Sequence, residues 1–457
     1  MTAEELTAAL AAAAGADALA DPDDRRYWRD ATESQGVEAR PDAVVRPADA
    51  EAVARVVSWC YANGVAIVPR GGGTGFAGGC VAETGGVVVD LSRMTRVRAI
   101  DPGQWRMHVE AGLRTSEVRR IAREHGLMFP PDPGAAEQSQ IGGNVATNAG
   151  GPHAFKYGVT GAWVTGLEVV LPPGDLVTVG GPLRKDVAAY DLVGLLTGSE
   201  GTLGIVTAAW LRLLPAVEAT AVVAAAHPGP REGCAAIDAL LATGLVPAAV
   251  EYLDGGALGA ARGSYPFELP DDAGFLVVAE VDGTADEVAA ALPEAEAALG
   301  DGAVAVAALG ERAEVAALWR WREGVSHAVE AVHGGKVSED VAVPLDRLAE
   351  AIEATAAIGA RHGLDTCSWG HAGDGNLHST FMIDPRDGGQ LDRARSAAHD
   401  LFAAATALGG SISGEHGIGI AKRGQLGLQL DPAALALHAG IKRLIDPKGL
   451  MNPGKKV

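Results

Sequence analysis

The segment Pro69-Arg70-Gly71-Gly72-Gly73-Thr74-Gly75 follows a short apolar run, Val65 to Val68, that predicts a β-strand. A glycine-rich loop of this kind exposes successive backbone N–H groups, which can bind an anionic diphosphate. Glycine suits the position because a Cβ would keep a ligand away from the backbone. The segment is not the GxGxxG fingerprint of the doubly wound fold, and it is not a P-loop because no Gly-Lys-Ser/Thr follows. On its own it predicts a phosphate cradle or a surface turn equally well.

Two more glycine-rich segments lie downstream in the same part of the chain. One runs from Ser139 to Gly151 and is preceded by Pro131-Asp132-Pro133-Gly134, and the other runs from Leu195 to Val206. Both place small polar side chains between glycines. Three such segments within residues 41–217 indicate an extended, phosphate-bearing cofactor that lies against the backbone.

Two histidine-bearing motifs near the end of the chain predict a second kind of site. They are His371-Ala372-Gly373-Asp374-Gly375-Asn376-Leu377-His378 and Gly414-Glu415-His416-Gly417. His371, His378 and Glu415 are the candidate metal ligands, and three protein ligands leave positions open on an ion for a substrate. The alternative is two ordinary histidines on a hairpin and a Glu-His pair on a loop. The surrounding glycines offer these side chains little packing, which favours the metal site.

The first motif also predicts a local geometry. Asp374-Gly375 is typical of a two-residue turn in a β-hairpin, with residues 365–370 and 377–383 as its arms. In that register His371 faces His378, and directly opposed Cβ atoms lie about 5 Å apart. Two imidazoles at that separation can share one ion.

The composition limits the class of protein. The chain has 457 residues, 48% of them hydrophobic and 21% charged, which is ordinary for a globular protein of two or three domains. A net charge of −21 argues against a nucleic-acid partner, because no basic stripe is available to neutralise phosphates. No apolar run reaches the ~20 residues of a membrane span, and the acidic N-terminus is not a secretory signal. The four cysteines form no CxxC motif, so we predict a cytoplasmic location.

The pattern of predicted elements divides the chain into four segments. Residues 1–40 predict a helical lead-in, and residues 41–217 combine short strands and helices with the glycine-rich segments. Residues 218–420 alternate strand-like and helical stretches and carry both histidine motifs, which favours an α+β layer with an antiparallel sheet. Residues 421–457 form a C-terminal segment that we expect to pack back on the second segment.

These motifs together resemble a known family. Residues Pro69–Gly75, Ser139–Gly151 and Thr197–Ile205 resemble the FAD-binding domain of the vanillyl-alcohol-oxidase/p-cresol-methylhydroxylase (PCMH) superfamily. The motifs HAGDGNLH and GEHGIG and the terminal Asn452-Pro453-Gly454-Lys455 resemble the FAD-linked oxidase C-terminal domain. The nearest branch is that of D-lactate dehydrogenase, the glycolate oxidase flavin subunit and D-2-hydroxyglutarate dehydrogenase. The resemblance implies an α+β fold, with a two-subdomain PCMH-type FAD-binding domain and an antiparallel-sheet cap domain.

The resemblance implies FAD as the cofactor. Some relatives bind flavin covalently through a histidine near the first glycine loop, but residues 71–79 contain none, so we expect non-covalent FAD. The positions that match the FAD-binding segments of the family are Pro69, Arg70, Gly71, Gly72, Gly73, Thr74, Gly75, Pro131, Asp132, Ser139, Ile141, Gly142, Gly143, Asn144, Ala146, Asn148, Gly150, Glu200, Gly201, Ile205 and Asn452. A divalent metal is also implied, and zinc, manganese and ferrous iron all suit two histidines and a carboxylate.

The resemblance further assigns roles in a reaction, the oxidation of a 2-hydroxy acid to a 2-oxo acid. A metal on the C2 oxygen lowers the pKa of the substrate hydroxyl, His416 takes the proton as the base, and a hydride passes to flavin N5. Arg322 matches the arginine that binds the substrate carboxylate in relatives, although a charge on a helix surface is the alternative. Ser326, Lys336 and Thr380 are the other substrate-binding candidates.

Two departures from the family bear on the substrate. Relatives that act on hydroxyglutarate carry a lysine where this chain has Ser338, and an asparagine where it has Thr380. Both departures favour a D-lactate- or glycolate-like substrate over the longer diacid.

Other functions and partners stay open at this point. The alternatives are a D-2-hydroxyglutarate dehydrogenase, a flavoprotein of the same fold with alkyl-transfer chemistry, and a metal-dependent hydrolase, which would leave the glycine cradle unexplained. A quinone, a cytochrome, an electron-transferring flavoprotein and an iron–sulfur subunit are all compatible electron acceptors. A homodimer is the candidate assembly, and peripheral membrane contact through the acceptor is the alternative to a purely cytoplasmic location.

Overall fold

The computed structural model describes residues 2–32 and 36–456, so residues 33–35 of the predicted lead-in lie outside the described part of the chain. The strands are β1 (Leu19–Ala20), β2 (Ala43–Val45), β3 (Ile67–Arg70), β4 (Val87–Asp90), β5 (Val97–Asp101), β6 (Arg106–Glu110), β7 (Leu127–Met128), β8 (Val164–Leu171), β9 (Asp175–Gly180), β10 (Ile205–Arg212), β11 (Leu214–Pro215), β12 (Ala219–His227), β13 (Ala249–Asp254), β14 (Phe275–Gly283), β15 (Ala305–Leu309), β16 (Gly335–Ala342), β17 (Thr366–His371) and β18 (Asn376–Ile383). The α-helices are α1 (Ala3–Ala14), α2 (Ala50–Asn63), α3 (Thr115–Glu124), α4 (Ile141–Thr147), α5 (Ala154–Tyr157), α6 (Leu192–Leu196), α7 (Pro230–Ala242), α8 (Gly255–Ala261), α9 (Ala285–Gly300), α10 (Arg312–His333), α11 (Leu348–His362), α12 (Gly388–Ala407) and α13 (Pro432–Ile445).

The chain forms two compact units. The first unit comprises Met1–Gly150, Gly158–Ala216 and Glu415–Val457, and the second comprises Gly151–Tyr157 and Val217–Gly414. None of the helices in the described ranges combines the length and the hydropathy that crossing a membrane requires.

The first unit contains two main sheets. A four-stranded sheet has the order β1-β2-β4-β3, and β2 and β3 both run parallel to β4. Helix α2 begins after Asp49, whose side chain accepts a hydrogen bond from the N–H of Ala52, and its buried face packs into the core of this sheet. A five-stranded antiparallel sheet has the order β5-β6-β10-β8-β9. These sheets hold the glycine-rich segments in place.

One helix of the first unit lies inside the second glycine-rich segment. It is α4 (Ile141–Thr147), although Gly142 and Gly143 are poor helix formers. Tertiary packing accounts for Gly142, because a Cβ there would lie 2.7 Å from the Cβ of Ala111. Gly142 therefore allows the helix to approach the end of β6 more closely than another residue could.

The second unit is built on one seven-stranded antiparallel sheet with the order β15-β12-β14-β13-β17-β18-β16. This confirms the predicted α+β fold with an antiparallel cap sheet. One face of the sheet packs against α8 and α10, whose apolar side chains share a core with Leu253, Trp369 and Met382. Helix α11 contacts the opposite face, where Thr355 Oγ1 lies 2.9 Å from Ser379 Oγ.

The predicted register of the histidine hairpin is wrong by two residues. His371 lies opposite Asn376, and Trp369 lies opposite His378. The loop between β17 and β18 has four residues, because a short 3-10 turn at Ala372–Asp374 precedes Gly375. A shift of two residues preserves the alternation of a strand, so both histidines still lie on one face. Their ring centroids are 5.3 Å apart and their planes nearly perpendicular, at 87°.

Candidate functional site

The glycine-rich segments of the first unit meet one another. A Cβ on Gly72 would lie 2.3 Å from the carbonyl oxygen of Gln138, and one on Gly71 would lie 3.3 Å from the Cα of Gly143. The loop after β3 is therefore in backbone contact with the segment that leads into α4. The third segment joins them, since a Cβ on Gly201 would lie 3.0 Å from Pro69. Glycine is required at position 72 because the backbones touch there, and it is favoured at position 201 by a positive φ of 69°.

The C-terminal segment also contacts the group of three glycine-rich segments, which we call the cradle. The side-chain amide of Asn452 donates to the carbonyl oxygens of Glu200 and Gly79, at 2.7 and 2.8 Å. Glu200 adopts a positive φ of 55°, and its carboxylate accepts the backbone N–H groups of Ile418 and Gly419. One carboxylate therefore ties the cradle to the loop that carries the second histidine motif.

The cradle offers polar atoms that a ligand would satisfy. Gln140 Oε1 and Thr197 Oγ1 are buried and have no hydrogen-bond partner among the described residues. An unpaired buried polar atom is costly, so such atoms commonly face a ligand. Together with the bare backbone of the three glycine segments, they fit an extended cofactor rich in polar atoms. The sequence predictions omit both residues, although each stands inside a glycine-rich segment that they identify.

Arg70 faces the protein interior. Its Nη1 donates to the carbonyl oxygen of Arg29 at 3.0 Å and lies 3.1 Å from the Sγ of Cys80. A Cβ on Gly73 would collide with its guanidinium, so the arginine lies directly under the turn of the loop. The guanidinium of Arg70 therefore packs against the backbone of the first glycine-rich loop and stabilises it.

The second motif gathers three metal-ligating side chains. His371 is the last residue of β17, His378 lies on β18, and Glu415 lies in the loop after α12. One ligand atom from each of His371, His378 and Glu415 lies within 4.8 Å of the others. Two imidazoles and a carboxylate at this spacing are a donor set that a divalent ion can share. The predicted ligand set is thus brought together despite the altered hairpin register.

A buried carboxylate that the sequence predictions omit fixes the orientation of His371. Glu251 of β13 lies directly opposite His371, and its Oε1 is 2.6 Å from His371 Nδ1. An ionised carboxylate can only accept, so this contact favours the tautomer with the hydrogen on Nδ1, which presents Nε2 to an ion. The sequence does contain a signal for this residue, since Glu251 is the single charge inside the apolar run Ala248–Leu253. A glutamate is almost never fully buried unless it is paired, so a charge in a buried strand predicts a partner.

Arg322 of α10 completes this chain of contacts. Its Nη2 lies 2.5 Å from Glu251 Oε2 and forms an ion pair with it. The angle at this contact is not that of a hydrogen bond. The Nε of Arg322 is buried without a hydrogen-bond partner in the described structure. The guanidinium is therefore not the exposed helix-surface charge that the sequence left as an alternative.

A second buried acid holds the loop that leads to Glu415. Asp340 of β16 lies opposite His378 and is fully buried. Its carboxylate accepts from the hydroxyl of Ser413, at 3.2 and 3.3 Å to the two oxygens. At Gly414 a Cβ would lie 2.1 Å from the side-chain nitrogen of Asn376. Close packing of this loop thus requires glycine just before the carboxylate ligand.

His416 lies beside the first glycine-rich loop. Its imidazole is stacked on the ring of Phe76, and its side chain is 11% exposed. His416 Nε2 lies 3.9 Å from Glu415 Oε1. The base candidate is thus adjacent to a metal-ligand candidate and packed against the loop of the cradle.

The remaining substrate-binding candidates form two pairs in the second unit. Lys336 donates to the hydroxyl and the carbonyl oxygen of Ser326 at 2.7 and 2.6 Å, and Glu330 lies 3.3 Å from its ammonium. Burial lowers the pKa of Lys336. The hydroxyls of Ser338 and Thr380 are 2.8 Å apart across the strand pair. The ammonium of Lys336 is thus engaged by protein groups.

Comparison with known proteins agrees with this architecture. The chain matches an FAD binding domain over residues 41–180 and the C-terminal domain of FAD linked oxidases over residues 216–456. It is therefore an FAD-dependent oxidoreductase. Within that class it belongs to the FAD-linked oxidase family.

The relatives are similar over nearly their whole length. The chain is 36% identical to the glycolate oxidase subunit GlcD of Bacillus subtilis, covering 94% of this chain and 91% of that protein. It is 34% identical to the D-lactate dehydrogenase of Anaerostipes hadrus, covering 91% and 90%. Its fold is that of p-cresol methylhydroxylase, with a TM-score of 0.82 at 18% identity over 99% of this chain and 96% of that one.

Proposed function

We propose that the protein oxidises a small 2-hydroxy acid, such as D-lactate or glycolate, to the 2-oxo acid. The observation that carries the proposal is the grouping of His371, His378 and Glu415 within 4.8 Å in a chain of the FAD-linked oxidase family. A flavoprotein that oxidises an alcohol needs groups that activate the alcohol for hydride transfer. A three-ligand metal site beside a spare imidazole supplies such groups.

Two groups that the chain would hold supply the chemistry. The glycine-rich segments of the first unit would hold FAD, which would supply the hydride acceptor. His371, His378 and Glu415 would hold a divalent ion, which would supply a Lewis acid for the C2 hydroxyl and the adjacent carboxylate and so select for 2-hydroxy acids.

His416 is the proposed base. It must be neutral to accept the hydroxyl proton, and imidazole suits that task near neutral pH. Stacking on Phe76 limits the rotation of the ring, so the proton acceptor has a fixed direction. Glu415, one residue earlier, keeps the acceptor close to the ion.

Arg322 is the proposed partner of the substrate carboxylate. Its Nη2 is engaged by Glu251, and its buried Nε has no partner in the described structure, so a carboxylate oxygen would complete its hydrogen bonding. A second substrate carboxylate would find Lys336 engaged by Ser326 and Glu330. This supports a monocarboxylate over the longer diacid.

Anaerobic mixing of the purified holoprotein with a panel of D- and L-2-hydroxy acids tests the proposal. Loss of the visible flavin absorbance with D-lactate or glycolate, and not with 2-hydroxyglutarate, is the expected result. A flavin that stays oxidised across the whole panel would contradict the proposed reaction. Bleaching by 2-hydroxyglutarate alone would show that the substrate is this diacid and not D-lactate or glycolate.

A further inference from the structure

A single buried carboxylate joins two parts of the proposed site. Glu251 has no exposed surface, and its two oxygens contact two different side chains from two different elements. Oε1 lies 2.6 Å from His371 Nδ1 on β17, and Oε2 lies 2.5 Å from Arg322 Nη2 on α10. The side chains form a continuous line from the arginine to the histidine.

The position of this line follows from the sheet. Glu251 and His371 are directly opposed residues of neighbouring antiparallel strands, so their side chains leave the same face. Helix α10 covers that face through Leu318, Trp321 and Val325, which belong to the core shared with the sheet. Packing of the helix therefore fixes where the guanidinium stands relative to the strand pair.

The charges of Arg322 and Glu251 compensate each other in this buried row of side chains. An ionised carboxylate buried without a partner would be strongly unfavourable, and the guanidinium of Arg322 supplies the opposite charge. A carboxylate that stays ionised must accept from Nδ1 of the histidine, which leaves Nε2 as the only nitrogen for an ion.

We infer that Glu251 is a positioning residue that couples the substrate-binding arginine to the metal-binding histidine. This rests on the proposed function, since it takes His371 as a ligand and Arg322 as the carboxylate partner. In this role Glu251 acts through His371 and Arg322 and is not itself a ligand. It sets the tautomer and direction of one group and holds the charge of the other in place.

The test compares metal affinity in variants that keep FAD. Manganese is titrated into chelator-treated holoprotein, and its dissociation constant is measured for wild type, Glu251→Gln and Glu251→Asp. Substituting a residue that hydrogen-bonds a ligand typically weakens metal affinity about 10–100-fold, and we expect Glu251→Gln, which removes the charge of the partner, in that range. Glu251→Asp keeps the charge but shortens the reach, and we expect an intermediate loss. Saturating manganese should restore much of the lost turnover, which a general folding defect would not allow.

Glu280→Gln is the matched control. Glu280 is also a buried acid on this sheet, but it pairs with His153 and Trp319, outside the proposed site. Its substitution should leave manganese affinity within about twofold of wild type.

The outcomes separate the inference from the proposed function. Wild-type affinity in both Glu251 variants, with normal flavin content, would overturn the inference and leave the proposed metal site intact. A wild-type protein that binds no manganese, zinc or ferrous iron would overturn the proposed function and the inference with it. If Glu251→Gln yields no folded protein, Glu251→Asp decides: several-fold weaker binding supports the inference, and unchanged binding rejects it.

Discussion

The ring of Phe76 and the imidazole of His416 are stacked, with centroids 4.7 Å apart and planes inclined by 27°. Phe76 is an exposed large apolar residue, at 47% of its surface, on a loop whose glycines cannot provide such a contact. An aromatic side chain left in solvent is otherwise unfavourable. The contact therefore indicates that Phe76 holds the proposed base in position.

Phe76→Ala should lower turnover without removing FAD. Aromatic pairs contribute roughly 0.5–1.5 kcal/mol beyond burial, which corresponds to about a 2–12-fold lower kcat if the contact orients the base. The measurement is kcat with an artificial electron acceptor, alongside flavin content. Tyr190→Ala, which removes an aromatic side chain that is 94% exposed in the first unit, is the control and should leave kcat unchanged. An unaltered kcat in Phe76→Ala would show that the stack has no part in the reaction.

His416→Ala should keep both FAD and metal yet lose turnover. General-base catalysis contributes about 10²–10⁴-fold, and we expect a loss of that size in the rate of flavin reduction. Stopped-flow reduction by D-lactate measures that rate directly. His125→Ala, at an exposed histidine directly after α3, is the matched control. Normal reduction in His416→Ala would remove the base assignment.

Gly414→Ala should weaken metal binding through the backbone. The new Cβ would lie 2.1 Å from Asn376 Nδ2, and Asn376 is buried and donates to the carbonyl oxygen of Val341. The loop that carries Glu415 must then move, at a cost of about 1–3 kcal/mol for overpacking. We expect a lower Tm and a higher dissociation constant for manganese. Gly440→Ala on α13, where the added Cβ meets open space, should show neither effect.

The sequence identifies the glycine-rich segments and the three candidate ligand side chains because both depend on local requirements. Gly71 and Gly72 lie where backbones come close, and Gly201 has a positive φ of 69°. Side chains that share a strand face remain on that face after a register shift of two, so His371 and His378 stay together although the predicted hairpin register is wrong.

What the sequence does not predict depends on contacts between distant elements. The register of the hairpin depends on a four-residue loop that Asp374-Gly375 alone does not specify. Helix α4 forms because Gly142 packs on Ala111, thirty-one positions earlier in the chain. Glu251 precedes His371 by 120 residues, and only the pairing of β13 with β17 makes them neighbours.

Stability should fall as pH decreases below the ordinary range of histidine. His227 of β12 is fully buried, and burial lowers its pKa below the usual value of 6.5. The folded protein therefore binds fewer protons at this site than the unfolded chain, so stability is lost as pH falls from 6.5 through the folded pKa. Thermal unfolding across this range measures the effect. His227→Leu should flatten the decline relative to wild type, and a decline of equal slope would assign it to other groups.

The most direct test of the account is anaerobic reduction of the flavin with and without the metal. Purified holoprotein is mixed with D-lactate or glycolate before chelator treatment, after it, and after zinc, manganese or ferrous iron is restored. We predict bleaching of the flavin before treatment, none after it, and recovery with at least one restored ion. Equal bleaching in the chelated protein, confirmed free of metal by elemental analysis, would contradict the claim that His371, His378 and Glu415 hold an ion needed for the reaction.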